Sequence, residues 1–507
     1  MERRVRVRFA PSPTGPLHIG GVRTALFNYL FAKKHGGDFL LRIEDTDQNR
    51  FVPGAEEYII EALKWCGIVP NEGVGFGGNL GPYRQSERKP MYKKYADSLI
   101  ENGFAYYAFD TAEELNELRK QAEADKQVFS YDLHTRNKLK NSLTLSANDV
   151  QERLSSGQSY VIRFKMPADR DIVEDDLIRG RVSFNTNQLD DKVLFKSDGM
   201  PTYHLAHVID DYLMHITHVI RGEEWLSSMP LHILLYESLG ISENQPRYSH
   251  LPLILKPEGK GKLSKRDGDK MGFPVFPLLW KDPVTGDISR GYREDGYFPE
   301  AFINLLALLG WNSGTEQEFF SIDELIESFD LSRVVKSGAR FDPEKAQWFN
   351  RHYLQQKTPS ELARLFLPML EEKGINPELQ QLEKIVGLIQ DRCEFVKDFW
   401  EHGHYFFQAP ESYDEKTIQK KWKPDTNEKL NDIAKLFETI SEWKAETIKE
   451  IFSGFMTEKE WGFGMVMVPI RLALVGTSSG PDLFEICELI GRDETIARIK
   501  SACIEIR

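Results

Sequence analysis

A histidine and two glycines stand between a strand-like segment and a helix-like segment near the start of the chain. Residues 5–9 alternate apolar side chains with arginines, and a helical pattern opens at Gly20-Gly21 shortly after His18. The N-terminus of a helix carries free N–H groups and partial positive charge, so it attracts phosphate, and glycine there lets a ligand approach the backbone. The pattern predicts a phosphate site, although an ordinary turn with a capping histidine fits the same residues.

A cluster of cations in the middle of the chain suits the same kind of ligand. Its members, which glycines flank and interrupt, are Lys260, Lys262, Lys265 and Arg266. Glycine gives such a loop conformational freedom, and the spacing lets two lysines grip one triphosphate. A solvated basic loop is the alternative, because a bare run of charge is usually that.

The elements around the histidine form a βαβ unit. Residues 39–44 return as a second strand after the helix. The helix shows one apolar face, formed by Val22, Ala25, Leu26, Tyr29 and Leu30. Because an α/β domain binds its ligand at the carboxyl ends of its strands, we expect the chemically active residues there.

The pattern changes repeatedly along the rest of the chain. Residues 110–155 are polar and mostly helical, and residues 158–200 indicate short strands, which together predict an inserted α+β module. The doubly wound pattern resumes near residue 201, with strands predicted at 208–211 and 215–220 and a helix at 230–239. Residues 250–300 are rich in loop-forming residues, and helical patterns follow from residue 302 onward.

The composition bounds the class of protein. The chain has 507 residues, of which 41% are hydrophobic and 28% charged, as in globular proteins of several domains. No apolar run approaches the ~20 residues of a membrane helix, and no signal peptide is visible. The four scattered cysteines form no CxxC pair, which favours a reducing cytoplasm. A net charge of −13 argues against general affinity for nucleic acid but leaves room for a local basic face.

Two motifs together carry a resemblance to a known family. PLHIGG (16–21) and KLSKR (262–266) resemble the signature motifs of class I aminoacyl-tRNA synthetases. The segments RIEDTD, PTYHLA, RGEEWL and YREDGYFPEAFINLLALLGW are similar to those of the bacterial-type glutamyl-tRNA synthetases. RLALVGTSSGPDLFEICELIG is similar to the end of the same family, so the resemblance spans essentially the whole chain.

The resemblance implies a multidomain fold that is α/β plus all-α. A Rossmann-like parallel-sheet catalytic domain (1–83 and 200–249) would be split by an inserted α+β domain that binds the acceptor stem (84–199). A connecting stem-contact region with the KLSKR loop (250–340) would lead to a C-terminal α-helical anticodon-binding cage, in two halves (341–400 and 401–507).

The resemblance also implies a reaction. L-glutamate would be activated with ATP to glutamyl-adenylate and pyrophosphate, and then transferred to the 3′-terminal adenosine of tRNA(Glu). ATP would be a substrate whose phosphates Mg²⁺ bridges. The family further implies a cytoplasmic monomer without a membrane partner.

The family's catalytic and nucleotide-binding residues map onto the two motifs and the segments near them. His18 would hydrogen-bond the phosphates, and Lys262 and Lys265 would stabilise the leaving pyrophosphate. The signature's final histidine is Gly21 here, so the α-phosphate region would depend on His18 and backbone N–H groups. The other ATP-binding candidates are Gly20, Glu224, Trp225, Leu253, Ser264 and Arg266, of which Trp225 equally fits the core.

Glutamate needs a cationic clamp for its side-chain carboxylate, and Arg8 and Arg221 match the family's two arginines for this role. Arg221 favours glutamate over glutamine, because the glutamine-specific relatives keep no arginine there. Glu44 would bind the α-ammonium. The rest of the pocket would consist of Ala10, Ser12, Tyr203 and His207.

The chain departs from the family pattern in two places. Some members hold zinc in the insertion through a Cys-x-Cys pair, but no cysteine lies between Cys66 and Cys393, so no zinc is predicted. Residues 273–291 are longer than the family pattern, and their composition predicts an ordered surface loop beside the catalytic loop.

Recognition of the tRNA rests on one matched residue. Arg392 lies near the position of the family's arginine that reads the third anticodon base, although an exposed arginine on a helix is often only a solvated charge. The sequence leaves open whether tRNA(Gln) is also charged.

Three other functions stay open on the sequence. A shortened relative that attaches glutamate to a modified tRNA base would lack the helical third, which this chain has. A non-catalytic tRNA-binding paralogue would have lost signature residues, whereas His18, Lys262 and Lys265 are present. A glutaminyl-tRNA synthetase is disfavoured by Arg221 and by a C-terminal third that is helical rather than a β-barrel.

Overall fold

The computed structural model of the chain describes residues 3–506. The chain falls into two compact units. The first runs to Asp295 and resumes over Pro299–Ala346, and the second consists of Gly296–Phe298 and the chain from Gln347 onward. No helix among residues 3–506 is long and apolar enough to cross a membrane. Two units are fewer than the domains expected from the sequence, so the boundaries between those domains stay a prediction.

The first unit begins with the predicted βαβ pattern. Its opening elements are β1 (Arg6–Phe9), α1 (Ile19–Lys34), β2 (Asp38–Leu41), α2 (Ala55–Trp65) and β3 (Glu72–Gly73). The three strands are parallel and pair in the order β1-β2-β3. α1 begins at Ile19, because the side chain of His18 accepts a hydrogen bond from the backbone N–H of Gly20 and caps the helix.

Helices and antiparallel strands follow, as predicted for the α+β insertion. They are α3 (Lys89–Glu101), β4 (Ala105–Ala108), α4 (Ala112–Ala124), α5 (Ala147–Ser155), β5 (Val161–Phe164), β6 (Asp171–Asp176), β7 (Gly180–Asn185) and β8 (Val193–Phe195). β4, β5 and β8 form one antiparallel sheet, and β6 and β7 form a hairpin. Leu115 of α4 packs with Tyr106 and Tyr131 in a small separate core.

The parallel sheet is completed after the insertion. The elements are α6 (Tyr203–Leu213), β9 (His218–Gly222), α7 (Met229–Ser238) and β10 (Arg247–Leu251). β9 and β10 are parallel, and the N–H of Thr217 donates to the carbonyl of Arg6 at 2.9 Å, which brings β9 beside β1. The order β3-β2-β1-β9-β10 is that of a Rossmann-like sheet, in which ligands bind at the switch point, here between β1 and β9.

One predicted strand is wrong, since residues 208–211 lie in α6. His207, Asp210 and Asp211 are buried together with the apolar residues of this helix. The apolar residues Leu205, Val208 and Ile209 recur at helical spacing, so the 3.6-residue period shows over the whole of α6 and is lost only when residues 208–211 are read as a separate short run. The following strand begins at His218 rather than at residue 215.

Short elements connect the sheet to the end of the first unit. They are β11 (Ile254–Leu255), α8 (Lys265–Met271), β12 (Trp280–Lys281), β13 (Ile288–Ser289), α9 (Tyr292–Asp295), α10 (Pro299–Leu308), α11 (Ile322–Ser328) and β14 (Ala339–Arg340). β11 pairs with β14, and β12 pairs with β13. Because α10 and α11 also pack on α1, that helix is buried on more than its predicted face, including at Arg23, Phe27 and Phe31.

The second unit is helical, which confirms the prediction for the C-terminal third. Its helices are α12 (Pro343–Gln356), whose first turn belongs to the first unit, α13 (Pro359–Glu372), α14 (Leu379–Ile389), α15 (Asp398–Gly403), α16 (Glu415–Lys421), α17 (Thr426–Glu438), α18 (Ala445–Glu458), α19 (Phe463–Val475), α20 (Leu483–Ile490) and α21 (Arg492–Glu505). α17 packs on α19 and α21, and α13 packs on α14.

A buried carboxylate ties the insertion to the sheet domain. Asp210 of α6 accepts hydrogen bonds from Arg88 at 2.6 Å and from Gln85 and Tyr92 at 2.8 Å. All four side chains are almost fully buried, with at most 1% of each residue exposed. The start of α3 therefore has its polar groups satisfied only when it lies against α6.

Replacing Asp210 with Ala should destabilise the first unit, because the guanidinium of Arg88 would stay buried without a carboxylate. Loss of one partner of a buried ion pair costs about 3–5 kcal/mol. Urea denaturation measures this change in the free energy of unfolding. The matched control is Asp175→Ala at an exposed position of β6, expected to change stability by less than about 0.5 kcal/mol. Wild-type stability of Asp210→Ala would contradict the assignment.

Candidate active site

A cavity of about 930 Å³ opens at the carboxyl ends of β1 and β9. It lies at the switch point of the parallel sheet, where this type of fold binds its ligands. The predicted residues that line it are Arg8, Ala10, Ser12, His18, Gly20, Gly21, Glu44, Tyr203, His207, Arg221, Glu224, Trp225, Leu253 and Lys262. One space therefore brings together residues from both distant motifs.

Arg221 is a buried cation without a carboxylate partner. It is 5% exposed, and none of the described carboxylates lies within ion-pair distance of its guanidinium. Its Nη1 donates to the hydroxyl of Tyr203 at 2.9 Å, its Nη2 to the carbonyl of Trp225 at 3.2 Å, and its Nε to His250 at 3.0 Å. These acceptors are neutral, Nδ1 of His232 lies 3.4 Å from Nη1, and the second N–H of Nη2 has no partner among the described residues. The site therefore offers a forked cation to an anionic ligand.

Arg8 is held differently, although the sequence assigns it the same role. Its Nε and Nη2 donate to the two carboxylate oxygens of Asp211 at 3.0 and 3.2 Å, and both residues are buried. Burial raises the pKa of Asp211, but the charges of Arg8 and Arg42 lower it well below its usual range. The charge of Arg8 is thus compensated within the protein, which leaves Nη1 as its donor without a partner among the described residues.

Glu44 keeps one carboxylate oxygen available in the cavity. Its Oε1 accepts a hydrogen bond from Arg42 at 2.8 Å, whereas Oε2 accepts none from the described residues. Burial raises the pKa of Glu44, but the contact with His207 and the charge of Arg42 lower it by more. The net effect is a lowered pKa, so the carboxylate is ionised. An anionic oxygen at this place suits an ammonium group.

Histidines surround the guanidinium of Arg221 in their neutral form. His207 stacks on His232 with ring centroids 4.6 Å apart, and His204 contacts the same ring through Nδ1 and Nε2 at 3.2 Å. Burial and then nearby positive charges lower the pKa of His204 to about 4, and burial likewise lowers that of His207 to about 4. These histidines therefore add no positive charge beside Arg221 near neutral pH.

His18 points a free donor at the beginning of α1. Its Nδ1 accepts from the N–H of Gly20 at 3.2 Å, and its Nε2 is buried without a hydrogen-bond partner among the described residues. Burial and the charge of Lys262 lower the pKa of His18 to about 4. The neutral ring accepts at Nδ1, so the proton is on Nε2, where it can be donated to a phosphate oxygen.

The backbone donors at the start of α1 are already in use. The N–H of Ile19 donates to the carbonyl of Val275 at 3.0 Å, and those of Gly20 and Gly21 bond to His18 itself. From the sequence we expect both His18 and backbone N–H groups to bind the α-phosphate. Because these three backbone groups are occupied, the side chain of His18 is left as the donor here. A Cβ at Gly21 would approach the side chain of Leu17 to 2.5 Å, so a larger residue there would require Leu17 to move.

The residues 273–291 are not a surface loop throughout, which corrects the prediction. Phe276 lies edge-on to His18 with ring centroids 6.0 Å apart, and Trp280 packs on Tyr58 at 5.3 Å. The hydroxyl of Tyr58 also donates to the carbonyl of Leu278 at 2.5 Å and accepts from the N–H of Leu278 at 3.0 Å. The apolar first half of the segment is core except for Leu279, and the other exposed residues lie in and beside the hairpin of β12 and β13.

The lysine cluster divides between a loop and a helix. Lys262 lines the cavity and forms an ion pair with Glu224 at 3.0 Å, with both side chains largely exposed. Lys265 and Arg266 form the first turn of α8, which a capping box of Ser264 and Asp267 starts. Of the residues that the structure describes, the cavity lining does not include these two cations or Ser264. The prediction that the whole cluster is a loop is therefore wrong.

Trp225 is not a core residue. It is 41% exposed, lines the cavity, and its ring lies 4.4 Å from that of Tyr203. Its open face is suited to stacking against a planar ring. Among residues 3–506, no three histidine, cysteine or carboxylate side chains are grouped so that they could hold a metal ion.

Comparison with known proteins identifies the family. The sequence model of the catalytic domain of class I tRNA synthetases (E and Q) matches residues 4–348, and that of an anticodon-binding domain matches residues 361–503. The chain belongs to the class I tRNA synthetases of the glutamate and glutamine type.

Relatives and solved structures of this synthetase family resemble the chain over its whole length. The glutamate–tRNA ligases of Christiangramia forsetii and Flavobacterium johnsoniae are 59% and 58% identical to it, over 99% of either chain. The crystal structure of a glutamate tRNA ligase from Elizabethkingia meningosepticum, in complex with its amino acid, superimposes with a TM-score of 0.97. It is 54% identical and covers 100% of both chains.

Several residues around the synthetase cavity escape prediction from the sequence. Arg42 and Asp211 hold Arg8 and Glu44 in place, and His250 holds Arg221. A helical reading of residues 203–213 would have placed His207 and Asp211 four residues apart on one face. No motif in the sequence indicates His250, because its role depends on the pairing of β9 with β10.

Arg392 lies in the second unit, in a short helical turn over Gln390–Arg392. It is exposed, and its Nη2 donates to the carbonyl of Gly480 at 3.0 Å. Burial lowers the pKa of the neighbouring Arg471, and the charge of Arg392 lowers it further. In a synthetase, two neighbouring cations on a helical domain fit contact with RNA.

The buried histidines of this synthetase should make its stability depend on pH. An unfolded histidine has a pKa of about 6.5, whereas His18, His204, His207 and His218 have pKa values of about 4. As the pH falls from 6.5 toward 4, the unfolded chain binds more protons, so the free energy of unfolding falls. Each histidine contributes at most about 1.4 kcal/mol per pH unit. Urea unfolding at pH 7.5 and pH 5 measures the difference.

His204→Gln should reduce this difference, and His134→Gln, at an exposed position, should leave it unchanged. An undiminished pH dependence in a folded His204→Gln variant would contradict the assignment.

Proposed function

We propose that the protein is a glutamate–tRNA ligase. It activates L-glutamate with ATP to glutamyl-adenylate and pyrophosphate, and then transfers glutamate to the 3′-terminal adenosine of tRNA(Glu). The observation that carries the proposal is one cavity with two complementary ends. At the start of α1, His18 offers a hydrogen-bond donor to a phosphate, and at the end of β9, Arg221 offers a guanidinium without a carboxylate partner. The curated relatives named glutamate–tRNA ligase support it over the whole chain.

The amino-acid end of the cavity fits glutamate. Arg221 pairs with the side-chain carboxylate through the Nη groups of its fork, and Tyr203 holds the guanidinium at 2.9 Å. Arg8 adds its free Nη1, and Oε2 of Glu44 accepts the α-ammonium. Glutamine would bring a neutral amide and leave the charge of Arg221 uncompensated, so the site selects glutamate. Ala10, Ser12 and His207 complete the wall.

The nucleotide end fits ATP, which enters with its Mg²⁺ as a substrate. His18 donates from Nε2 to a phosphate oxygen beside Gly20 and Gly21. Lys262 is released from its exposed ion pair with Glu224, which is worth at most about 1 kcal/mol, and binds the leaving pyrophosphate. Lys265, Arg266 and Ser264 reach the phosphates when the first turn of α8 and its N-cap move toward the cavity. The adenosine lies against Trp225 and Leu253.

Catalysis in this site is positioning and charge stabilisation. The α-carboxylate of glutamate attacks the α-phosphorus of ATP, and the bond to pyrophosphate breaks. The terminal ribose hydroxyl of tRNA then attacks the carbonyl of the mixed anhydride, and AMP leaves. Neither step uses a nucleophile of the protein, so the rate comes from holding the reactants together and from donors aimed at the developing charge.

The tRNA would contact both units. The match of residues 361–503 to an anticodon-binding domain supports a role of the second unit in reading the anticodon. We assign residues 84–199 to the acceptor stem and residues 250–340 to the stem, and we expect a cytoplasmic monomer.

Exchange of labelled pyrophosphate into ATP tests the proposal. The wild-type protein should support exchange with glutamate, assayed with and without tRNA, and should charge the 3′ end of tRNA(Glu). His18→Ala should lower kcat by about 10²–10³, the loss typical of one donor to a developing anion, with little change in the KM for glutamate. No exchange under either condition would exclude the enzyme, and exchange without charging of the 3′ end would favour modification of a tRNA base.

Arg392 offers a test of tRNA choice. Arg392→Ala should relax the preference for tRNA(Glu) over tRNA(Gln), because a cation that reads an anticodon base discriminates by about 1–3 kcal/mol. The measurement is the ratio of kcat/KM for charging the two purified tRNAs. Lys397→Ala, which changes a cation on the same unit, is the matched control. An unchanged ratio for Arg392→Ala would assign the residue a structural role only.

A further inference from the structure

A buried carboxylate from the insertion reaches the guanidinium of Arg221 through one imidazole. Oδ2 of Asp176, the last residue of β6, lies 2.6 Å from Nδ1 of His250 on β10. Nε of Arg221 donates to Nε2 of the same ring at 3.0 Å. The side chains of Asp176 and His250 are fully buried. Of these three residues, Arg221 lines the cavity, whereas Asp176 and His250 do not.

The hydrogen bonds define the tautomer of His250. The Nε–H of arginine is always a donor, so Nε2 of His250 must accept and carry no proton. The proton of the neutral ring is therefore on Nδ1, where it is donated to Asp176. Burial lowers the pKa of His250, and the charge of Arg221 also lowers it. The hydrogen bond to Asp176 raises this pKa, but by less, so the net shift is downward. A neutral ring with one donor and one acceptor thus fits between a carboxylate and a guanidinium.

Asp176 is itself fixed by backbone donors. Its Oδ1 accepts from the N–H groups of Ile178 at 2.9 Å and Arg179 at 2.8 Å in the hairpin turn. Arg179 donates from Nε to the carbonyl of His250 at 3.1 Å and also pairs with Glu223. The hairpin β6–β7 is therefore joined to β10 on both sides of the imidazole.

The arrangement resolves a conflict between orientation and availability. A carboxylate in direct contact with Arg221 would orient it but would occupy the fork, as Asp211 does for Arg8. A carboxylate that acts through a neutral imidazole takes only Nε. The two Nη groups then face the ligand in a fixed plane, which a bidentate carboxylate contact requires.

We infer that Asp176 and His250 are positioning residues that set the plane of the Arg221 guanidinium and thereby the choice of glutamate over glutamine. The inference rests on the proposed function, since it assumes that Arg221 binds the side-chain carboxylate. It assigns to the insertion, which supplies Asp176, a part in amino-acid specificity besides any contact with tRNA.

Asp176→Asn tests the inference with a minimal change of shape. The backbone N–H groups at Oδ1 select the amide oxygen for that place, so the amide N–H₂ faces Nδ1 of His250 and forces the other tautomer. Nε2 of His250 then carries a proton against the Nε–H of Arg221, as in the wrong-tautomer variants of Ser-His-Asp triads. Loss of an outer hydrogen-bond partner of a metal ligand typically costs about 10- to 100-fold, and we take the same range for the outer partner of Arg221. We expect an increase of that size in the KM for glutamate, with the KM for ATP within about twofold.

The discriminating measurement is the ratio of kcat/KM for glutamate to that for glutamine in pyrophosphate exchange. A general loss of fold lowers both values together, whereas a misplaced guanidinium lowers the ratio. Asp175→Asn, with the same chemical change at the exposed neighbouring residue, is the matched control and should leave the ratio unchanged. His250→Phe removes both hydrogen bonds while keeping a ring, and it should lower the ratio as well.

The outcomes separate the two levels of the argument. A wild-type protein that does not use glutamate would overturn the proposed function. A wild-type protein that uses glutamate, together with folded Asp176→Asn and His250→Phe variants that keep its ratio, would overturn the inference alone. Thermal melting identifies which variants are folded, and if only one of the two folds, its ratio decides.

Discussion

The buried charges on α6 are the constraint on which the rest of the catalytic unit depends. Arg8, Arg42 and Arg88 are at most 3% exposed, and they come from β1, from the residue after β2 and from the segment before α3. Burying a guanidinium costs free energy unless it is paired or hydrogen-bonded, and Asp210 and Asp211 pair these three from adjacent positions. The parallel sheet, the insertion and α6 therefore assemble in one arrangement or leave charges uncompensated.

The same network sorts the cations of the cavity by availability. Arg8 and Arg42 are compensated by Asp211, and Arg42 also holds one oxygen of Glu44. Arg221 is bound only by neutral groups, so its charge is the one the walls of the amino-acid end leave for a ligand. At the other end, the neutral ring of His18 has its free donor beside the first turn of α1. The chemistry of the cavity therefore depends on which polar groups the fold pairs internally and which it leaves available to a ligand.

The sequence predicts the local elements well and the long-range partners poorly. The βαβ unit around His18, the α+β insertion and the helical third follow from periodicity, which is a local property of the chain. α6 is missed because residues 208–211, read as a short run of their own, hide the helical spacing that begins at Leu205. Lys265 is assigned to a loop because the capping box of Ser264 and Asp267 goes unread.

The site shows the same division in its residues. The residues that line the cavity lie in motifs with a chemical signature, so their types and spacing reveal them. Asp176, His250 and Asp211 act through other side chains, and their roles exist only once β6, β10 and α6 have met. No spacing within the chain encodes such contacts, because they are made by tertiary packing.

The cap that Val275 places on α1 has a consequence for how chains of this family differ in length. Residues 273–280 are tied to the core by that carbonyl, by Phe276 and by Trp280, so a deletion there would uncover the first turn of α1. The tip over 282–287 has hydrogen bonds only within its own turn and is exposed. Insertions and deletions among relatives should therefore accumulate at the tip, while the stretch before it keeps a constant length.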